Sequence, residues 1–103
     1  MCIRDSYGAA KAGVAGLVRG LAAELAGTGI TANAVSPGST ATPMLDESAR
    51  IYGLTDTGPF AEQQAVGRLL APGEVAAALV WLAGGASDAL TGAVIPVDGG
   101  LSL

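Results

Sequence analysis

The chain has no histidine, and it has a single cysteine, Cys2, among its 103 residues. Without histidine a Ser-His-Asp triad cannot form, and one cysteine cannot close a disulfide within the chain. The same two shortages exclude an ordinary zinc site, because such sites draw their ligands mainly from cysteine and histidine. Any catalysis must therefore use other residue types, and we predict no metal site.

Basic residues and long apolar runs are also scarce. Five Lys and Arg stand against nine Asp and Glu, which gives a formal net charge of −4 at pH 7. So few scattered cations cannot form a patch for nucleic acid or for an anionic membrane. The apolar run from Val75 to Ser87 is too short to span a bilayer, and no secretory signal is visible. We expect a soluble, cytoplasmic protein with neither nucleic acid nor membrane as a partner.

The residues that are present are typical of a small folded domain. Half of them are apolar and only 14% are charged, a balance that is too apolar for a disordered chain. The length suits about one small domain.

A helix is predicted from Tyr7 to about Ala26, ended by Gly27-Thr28-Gly29. At about 100° per residue, apolar residues fill one sector of this helix, and small residues form a narrower stripe beside it. The apolar sector comprises Val14, Leu17, Val18, Leu21 and Leu25, and the stripe comprises Gly13, Gly16, Gly20 and Ala23. A glycine inside a helix costs on the order of 1 kcal/mol relative to alanine. The stripe therefore predicts a closely packed neighbouring backbone, from another subunit or from a helix of the same protein.

The rest of the chain alternates strands and helices. We predict a strand at 30–36, a loop at 39–62 with a helical turn or two around 45–52, a helix at 72–83 and a strand at 93–97. A strand–helix–strand order predicts parallel strands with a right-handed crossover. The fold class is therefore α/β, in the order helix–strand–loop–helix–strand. The sheet is incomplete, so further strands are expected before the chain begins.

Residues 1–6 do not match the pattern of residues 7–26, because they have neither helical nor strand periodicity. We interpret them as a non-native scar, similar to a translated adapter, with a short native N-terminus as the alternative. Residues 7–103 are then one portion of a single domain.

Tyr7 and Lys11 stand four residues apart, on one face of the predicted helix. A free tyrosine titrates near about pH 10, and a nearby cation stabilises its ionised form. Such a phenol could pass a proton to or from a substrate oxygen. A solvated surface pair has the same spacing, so the pair alone leaves both interpretations open.

Six motifs in register decide between them. The motifs are Tyr7 with Lys11, the stretch 29–38, Thr42-Pro43-Met44, Gly67-Arg68-Leu69, the stretch 72–76 and the stretch 91–100. Together they resemble the C-terminal part of the short-chain dehydrogenase/reductase family in its shorter one-domain form, a doubly wound parallel sheet of Rossmann type. Pro37-Gly38-Ser39-Thr40 and a few loop residues also resemble the mycofactocin-coupled branch of the family, and a 3-oxoacyl-carrier-protein-reductase-like group fits nearly as well.

The resemblance implies a role for six residues. Tyr7 matches the family's catalytic acid/base, and Lys11 matches the lysine that strengthens this acid and binds the nicotinamide ribose. The remaining four match cofactor-binding positions: Pro37 and Gly38 against the nicotinamide, Thr40 and Thr42 near its carboxamide, Thr42 also near the diphosphate. Thr42 could instead cap a helix before Pro43, and both roles can hold.

The resemblance also implies NAD or NADP as cofactor, a small alcohol or carbonyl substrate, and a parent protein that is a homo-oligomer, a dimer or tetramer. Residues 44–62 match the variable substrate loop, and Asp98-Gly99-Gly100 is typical of a turn that ends a strand. The family's glycine-rich phosphate loop and its catalytic serine are absent from these 103 residues. We therefore expect the chain alone to be inactive. The alternative is a non-catalytic remnant or an oligomerisation module that uses the glycine stripe.

Overall fold

Four α-helices, one short 3-10 helix and two strands make up the described part of the chain. The computed structural model describes residues 3–103, with side chains from Ser6 onward. The elements are α1 (Ile3–Glu24), β1 (Ala34–Pro37), α2 (Pro43–Ile51), α3 (Gly58–Glu62), α4 (Pro72–Ala83), the 3-10 helix Gly85–Ser87 and β2 (Val94–Val97). The predicted α/β class is confirmed. None of the described helices is both long and apolar enough to cross a membrane.

The two strands form a parallel pair. The amide of Ala34 donates to the carbonyl of Ala93 at 2.9 Å, and the amide of Gly38 donates to the carbonyl of Val97 at 3.0 Å. Because the partner's number rises with the donor's number, both strands run in the same direction. Parallel strands joined through α4 confirm the predicted strand–helix–strand unit.

The chain divides into two compact units, and the first holds α1. It comprises the described residues up to Ala34 together with Leu82–Ile95. Ala22 and Ser87 are its buried residues among the described side chains. The amide side chain of Asn33 donates to Leu90 O and accepts from the amide of Ala93, at 3.0 and 3.1 Å. A side chain thus joins the two segments of this unit.

The second unit comprises Val35–Trp81 and Pro96–Leu103. Its buried residues among the described side chains are Ala49, Gln64 and Leu70. A polar side chain therefore shares this small core with two apolar ones.

The predicted helix bounds need two corrections at α1. The helix begins at Ile3 rather than Tyr7, so the backbone of residues 3–6 is helical despite its lack of periodicity. It ends at Glu24, and Gly27 and Gly29 follow with φ of 80° and 79°. That left-handed backbone confirms the predicted glycine termination. Met1 and Cys2 lie outside the described residues, and the origin of residues 1–6 stays a prediction.

The first strand was predicted too early. It begins at Ala34 rather than at Ile30. The amide of Ile30 donates to the hydroxyl of Thr28 at 3.2 Å, and that of Ala32 to the hydroxyl of Thr91 at 3.3 Å. Side-chain oxygens thus take the amides that a strand would use, which delays regular pairing.

The segment predicted as a loop at 39–62 contains two helices, α2 and α3. Pro43 and Pro59 each stand in a first turn, where a missing amide costs nothing. Gly58-Pro59 therefore starts a helix where the sequence predicted a loop. The helix predicted at 72–83 is confirmed with the same bounds.

Candidate functional site

Tyr7 and Lys11 lie one turn apart on α1, as predicted. The ammonium Nζ of Lys11 is 5.4 Å from the centroid of the Tyr7 ring, within the range of a cation–π interaction. The tyrosine is 54% exposed, so about half of the residue is open to solvent. The helix therefore fixes a phenol and a cation side by side on an accessible surface.

Helix α1 also exposes large apolar side chains. Val14, Leu17 and Leu21 are all exposed, and Leu17 the most, at 69%. A Cβ built on Gly13, Gly16 or Gly20 meets nothing within 4 Å. The close backbone that the glycine stripe predicts is therefore not supplied by the described residues.

Gly38 ends β1 in a position that has no room for a side chain. A Cβ there would lie 2.6 Å from Asp98 Cα and 2.8 Å from Asp98 O, and in contact with Gln64 Oε1. Real Cβ atoms do not approach backbone this closely, so the packing of this unit requires glycine. The sequence matched Gly38 to a cofactor contact, and close packing gives it a structural reason as well.

Thr40 sits between two residues that pair with Leu70. The amide of Leu70 donates to Ser39 O, and the amide of Ala41 donates to Leu70 O, both at 2.9 Å. Because backbone groups alternate in direction along an extended chain, the amide of Thr40 points away from Leu70. In the described part of the chain this amide has no hydrogen-bond acceptor. Thr40 itself is half-buried.

Thr42 is the N-cap of α2. Its hydroxyl accepts from the amide of Leu45 at 3.2 Å and donates to Thr40 O at 3.4 Å. Capping by threonine satisfies an amide that the helix itself cannot satisfy. The capping role named as the alternative is confirmed, and a cofactor role for Thr42 stays a prediction.

The predicted turn after β2 is also confirmed. Gly99 and Gly100 have φ of 59° and 85°. The carboxylate of Asp98 accepts from the amides of Gly100 and Ser102 at 3.0 and 3.2 Å. Hydrogen bonding from Ser102, and then from Gly100, holds the pKa of the Asp98 carboxyl below its ordinary value. The carboxylate of Asp98 thus stabilises the turn that follows it.

Gln64 is a residue that the sequence reasoning missed. It is 2% exposed. Its Oε1 accepts from the amide of Ser39, and its Nε2 donates to Arg68 O, each at 2.6 Å. No motif flags a glutamine in a polar stretch, since its burial depends on segments far apart in the sequence.

Arg68 and Glu74 form an exposed, two-pronged ion pair. The guanidinium donates to both carboxylate oxygens, at 2.7 and 2.9 Å, and the amide of Ala71 donates to Glu74 as well. The guanidinium, followed by that amide, lowers the pKa of Glu74 to about 2. The pair fixes the segment that leads from Leu70 into α4.

The predicted site residues divide between the two units. Tyr7 and Lys11 lie in the first unit, and Pro37, Gly38, Thr40 and Thr42 lie in the second. A cavity of about 260 Å³ in the second unit lies within the predicted substrate loop; its lining includes Asp46, Arg50 and Leu54. The described residues hold no cluster of His, Cys, Asp and Glu suited to a metal ion.

The chain is similar to reductases and dehydrogenases along almost its whole length. It is 47% identical over 100 residues to the short-chain reductase protein NovJ of Streptomyces niveus, covering 94% of this chain and 38% of the relative. It is 43% identical over 101 residues to the 3-oxoacyl-[acyl-carrier-protein] reductase of Thermotoga maritima, covering 95% and 38%. The chain thus spans well under half the length of the curated relatives it matches.

Solved structures share the fold. The actinorhodin polyketide ketoreductase with NADPH has a TM-score of 0.86 at 36% identity, with 92% of this chain and 39% of that chain covered. The ligand-free aldohexose dehydrogenase of Thermoplasma acidophilum has a TM-score of 0.87 at 30% identity, covering 95% and 41%. Residues 3–102 match the family described as enoyl-(acyl carrier protein) reductase. With its motifs, its parallel strand pair and these relatives, the chain belongs to the short-chain dehydrogenase/reductase family.

Proposed function

We propose that this chain is the C-terminal part of an NAD(P)-dependent oxidoreductase that interconverts an alcohol and a carbonyl. The observation that carries the proposal is the pairing of Tyr7 with Lys11 on an accessible helix face. The names of the relatives support it, among them a cis-4-hydroxycyclohexanecarboxylate dehydrogenase of Sinomonas cyclohexanicum, 44% identical over 96 residues. An NADPH complex among the similar structures supports the cofactor class.

Tyr7 is proposed as the catalytic acid/base. In the reductive direction its hydroxyl gives a proton to the carbonyl oxygen of the substrate, and in the oxidative direction it takes the proton of the alcohol. The exposure of Tyr7 suits this role, because a substrate can approach an exposed side chain.

Lys11 is proposed to act on Tyr7 and on the cofactor. Its fixed positive charge beside the ring stabilises the negative charge that develops when the phenol loses its proton. The ammonium has three donors, so it can also bind the hydroxyls of the nicotinamide ribose. One residue therefore serves both proton transfer and binding.

The turn at 37–42 fits the nicotinamide end of the cofactor. When bound, that group exchanges a hydride with the carbon of the alcohol or carbonyl. The amide of Thr40 is the open donor for the carboxamide oxygen, and the exposed ring of Pro37 is proposed to lie against the nicotinamide. Thr42, already the cap of α2, is proposed to lie near the diphosphate.

Alone, the 103-residue chain is proposed to be inactive, because it has no glycine-rich loop to hold the pyrophosphate. Titration of the purified chain with NADH and NADPH is expected to give no binding, and micromolar binding would overturn this point. The mycofactocin-coupled branch, the cytoplasmic location and the homo-oligomeric parent stay predictions. So does the alternative of an oligomerisation module.

Substitution of Tyr7 in the full-length polypeptide tests the catalytic proposal. Tyr7→Phe removes one oxygen, and we expect turnover to fall about a hundredfold or more. Lys11→Ala is expected to weaken both turnover and cofactor binding. Arg19→Ala, which removes another exposed cation from α1, is the matched control and should change neither.

The cofactor affinity of the Tyr7→Phe variant separates chemistry from folding. We expect it to match that of the unmodified protein when NADH or NADPH is titrated. If Tyr7→Phe keeps most of its rate across neutral pH, the acid/base assignment is wrong. If the unmodified protein oxidises or reduces nothing with either cofactor, the proposed function fails as a whole.

A further inference from the structure

We propose that Gln64 is a positioning residue that fixes the turn from Gly38 to Thr40, and through it the open amide of Thr40. This inference rests on the proposed function, because that amide is assigned to the nicotinamide carboxamide. Gln64 follows α3, outside the stretch matched to the substrate loop and outside the residues matched to the cofactor.

The side-chain amide of Gln64 is held at both ends by backbone. Its Oε1 accepts from the amide of Ser39 and its Nε2 donates to Arg68 O, each at 2.6 Å, and the residue is 2% exposed. A buried amide with both ends satisfied has one orientation, because the reversed one would face donor to donor and acceptor to acceptor. Gln64 therefore sets the separation between two backbone segments.

The consequence falls on the neighbouring peptide group. With the amide of Ser39 bound to Gln64, and Ser39 O bound to the amide of Leu70, both backbone groups of Ser39 are occupied. The next amide, that of Thr40, is the open one. The Leu70 bonds orient the peptide group that carries the Thr40 amide, and the Gln64 bond holds the residue before it. Without Gln64 the Ser39 amide would compete as a donor and the turn would have one restraint fewer, so the placement of the Thr40 amide depends on Gln64 together with Leu70.

Gln64 is also closely packed against the turn. A Cβ on Gly38 would contact Gln64 Oε1, and the backbone of Asp98 closes the other side. Arg68 O lies in a segment with two anchors: the side chain of Arg68 bonds to Glu74, and the backbone of Leu70 pairs with residues 39 and 41. The glutamine thus joins a braced segment to the turn that it positions.

Gln64→Glu distinguishes a positioning amide from a simple core filler. A protonated glutamic acid accepts from Ser39 and donates to Arg68 O as glutamine does, whereas the ionised form faces that carbonyl with a second acceptor. The charged groups around it are already engaged: Arg68 with Glu74, and Asp98 with the amides of its own turn. In the described part of the chain, a carboxylate at residue 64 therefore has no unpaired cation beside it.

The experiment compares Gln64→Leu, Gln64→Glu and the matched control Gln63→Leu, which changes an exposed glutamine one residue earlier, all in the full-length polypeptide. Two readouts are measured at several pH values, each relative to the unmodified protein. The first is hydrogen exchange at the amide of Ser39. The second is the dissociation constant of NADH or NADPH, whichever the unmodified protein binds.

We expect Gln64→Leu to speed Ser39 exchange and to weaken cofactor binding by up to about tenfold, the loss expected when one hydrogen-bond donor is misaligned. We expect Gln64→Glu to approach the unmodified values at acidic pH and to depart from them as the pH rises. Gln63→Leu should match the unmodified protein. If Gln64→Leu does not fold, the pH response of Gln64→Glu still decides.

Failure of this inference differs from failure of the proposed function. If the unmodified protein binds a cofactor and both Gln64 variants bind it equally well at every pH, the positioning role is overturned while the function stands. The same holds if Ser39 exchange rises and affinity does not change. If the unmodified protein binds neither cofactor, the proposed function is overturned and this inference with it, whatever the exchange at Ser39.

Discussion

The two sets of site residues are held in different ways. On α1, Tyr7 and Lys11 are brought together by helix spacing alone, and of the side chains described on that helix only Ala22 is buried. In the turn at 38–40, by contrast, both backbone groups of Ser39 bond to buried residues, its amide to Gln64 and its carbonyl to Leu70. The Tyr7–Lys11 pair is thus set by local sequence, and the turn that carries the open amide of Thr40 is set by tertiary packing.

The strongest way to break this comparison is to crowd the turn. Gly38→Ala puts a methyl group against Asp98 backbone that cannot move aside, so we expect a loss of about 1–3 kcal/mol in the free energy of unfolding. Urea unfolding of the full-length polypeptide measures it. Gly73→Ala in α4, where a Cβ meets nothing within 4 Å, is the matched control and should not destabilise. Equal stability of the two variants would contradict the packing described for Gly38.

The next effect concerns the cap that follows the turn. Thr42→Ala leaves the amide of Leu45 without its hydroxyl partner, at a cost of about 1 kcal/mol in unfolding free energy. Thr42→Ser keeps the oxygen and is expected to retain most of that stability. A serine variant as weak as the alanine variant would mean that the hydroxyl bond is not what stabilises α2.

On the helix side of the comparison the sign reverses. Gly16→Ala meets nothing within 4 Å in this chain, so helix propensity alone should raise the stability of α1 by up to about 1 kcal/mol. Circular dichroism of the 103-residue chain through thermal unfolding measures the change. Lower helicity in the variant would show that another backbone packs on the stripe, for example from a second copy of the chain.

The smallest effect is electrostatic. The pKa of Glu74 is lowered from its ordinary 4.5 to about 2 by Arg68, so the folded state favours the carboxylate. A lowered pKa stabilises the fold above the ordinary value and loses that contribution as the pH falls toward 2. We expect Glu74→Gln to be slightly less stable than the unmodified protein at neutral pH, and the difference to vanish in acid. Because the pair is exposed, high salt should shrink the difference at neutral pH, and a salt-independent difference would point to another cause.

Local signals predicted part of the fold accurately. Pro72 and Glu74 suit a first turn, so the bounds of α4 follow from the sequence. The glycines after α1 predicted its left-handed end. The helical turns predicted around 45–52 correspond to α2, which begins two residues earlier, at Pro43. Helix α3 was missed because Gly58-Pro59 was placed in a loop, although proline is favoured in a first helical turn.

Long-range signals account for what the sequence did not predict. The late start of β1 depends on the hydroxyl of Thr91, which accepts from the amide of Ala32. The two residues are 59 positions apart in the sequence. The burial of Gln64 depends on Ser39 and Arg68 meeting around it. The Tyr7–Lys11 pair, by contrast, needed only a helix, so spacing was enough to predict it.

Each strand contains one proline, and the side of the ladder on which it lies affects which strands can be added at the edges. Since Ala34 and Gly38 donate toward β2, the alternation of the ladder turns Pro37 to the outer side of β1, and Pro96 to the outer side of β2. Proline has no amide hydrogen, so each outer edge lacks a donor that an added strand would need. An added strand, whether from the rest of the sheet or from another copy of the chain, therefore finds no donor at these two positions. The exposed apolar side chains of α1, such as Leu17, offer copies of the chain a different surface for association.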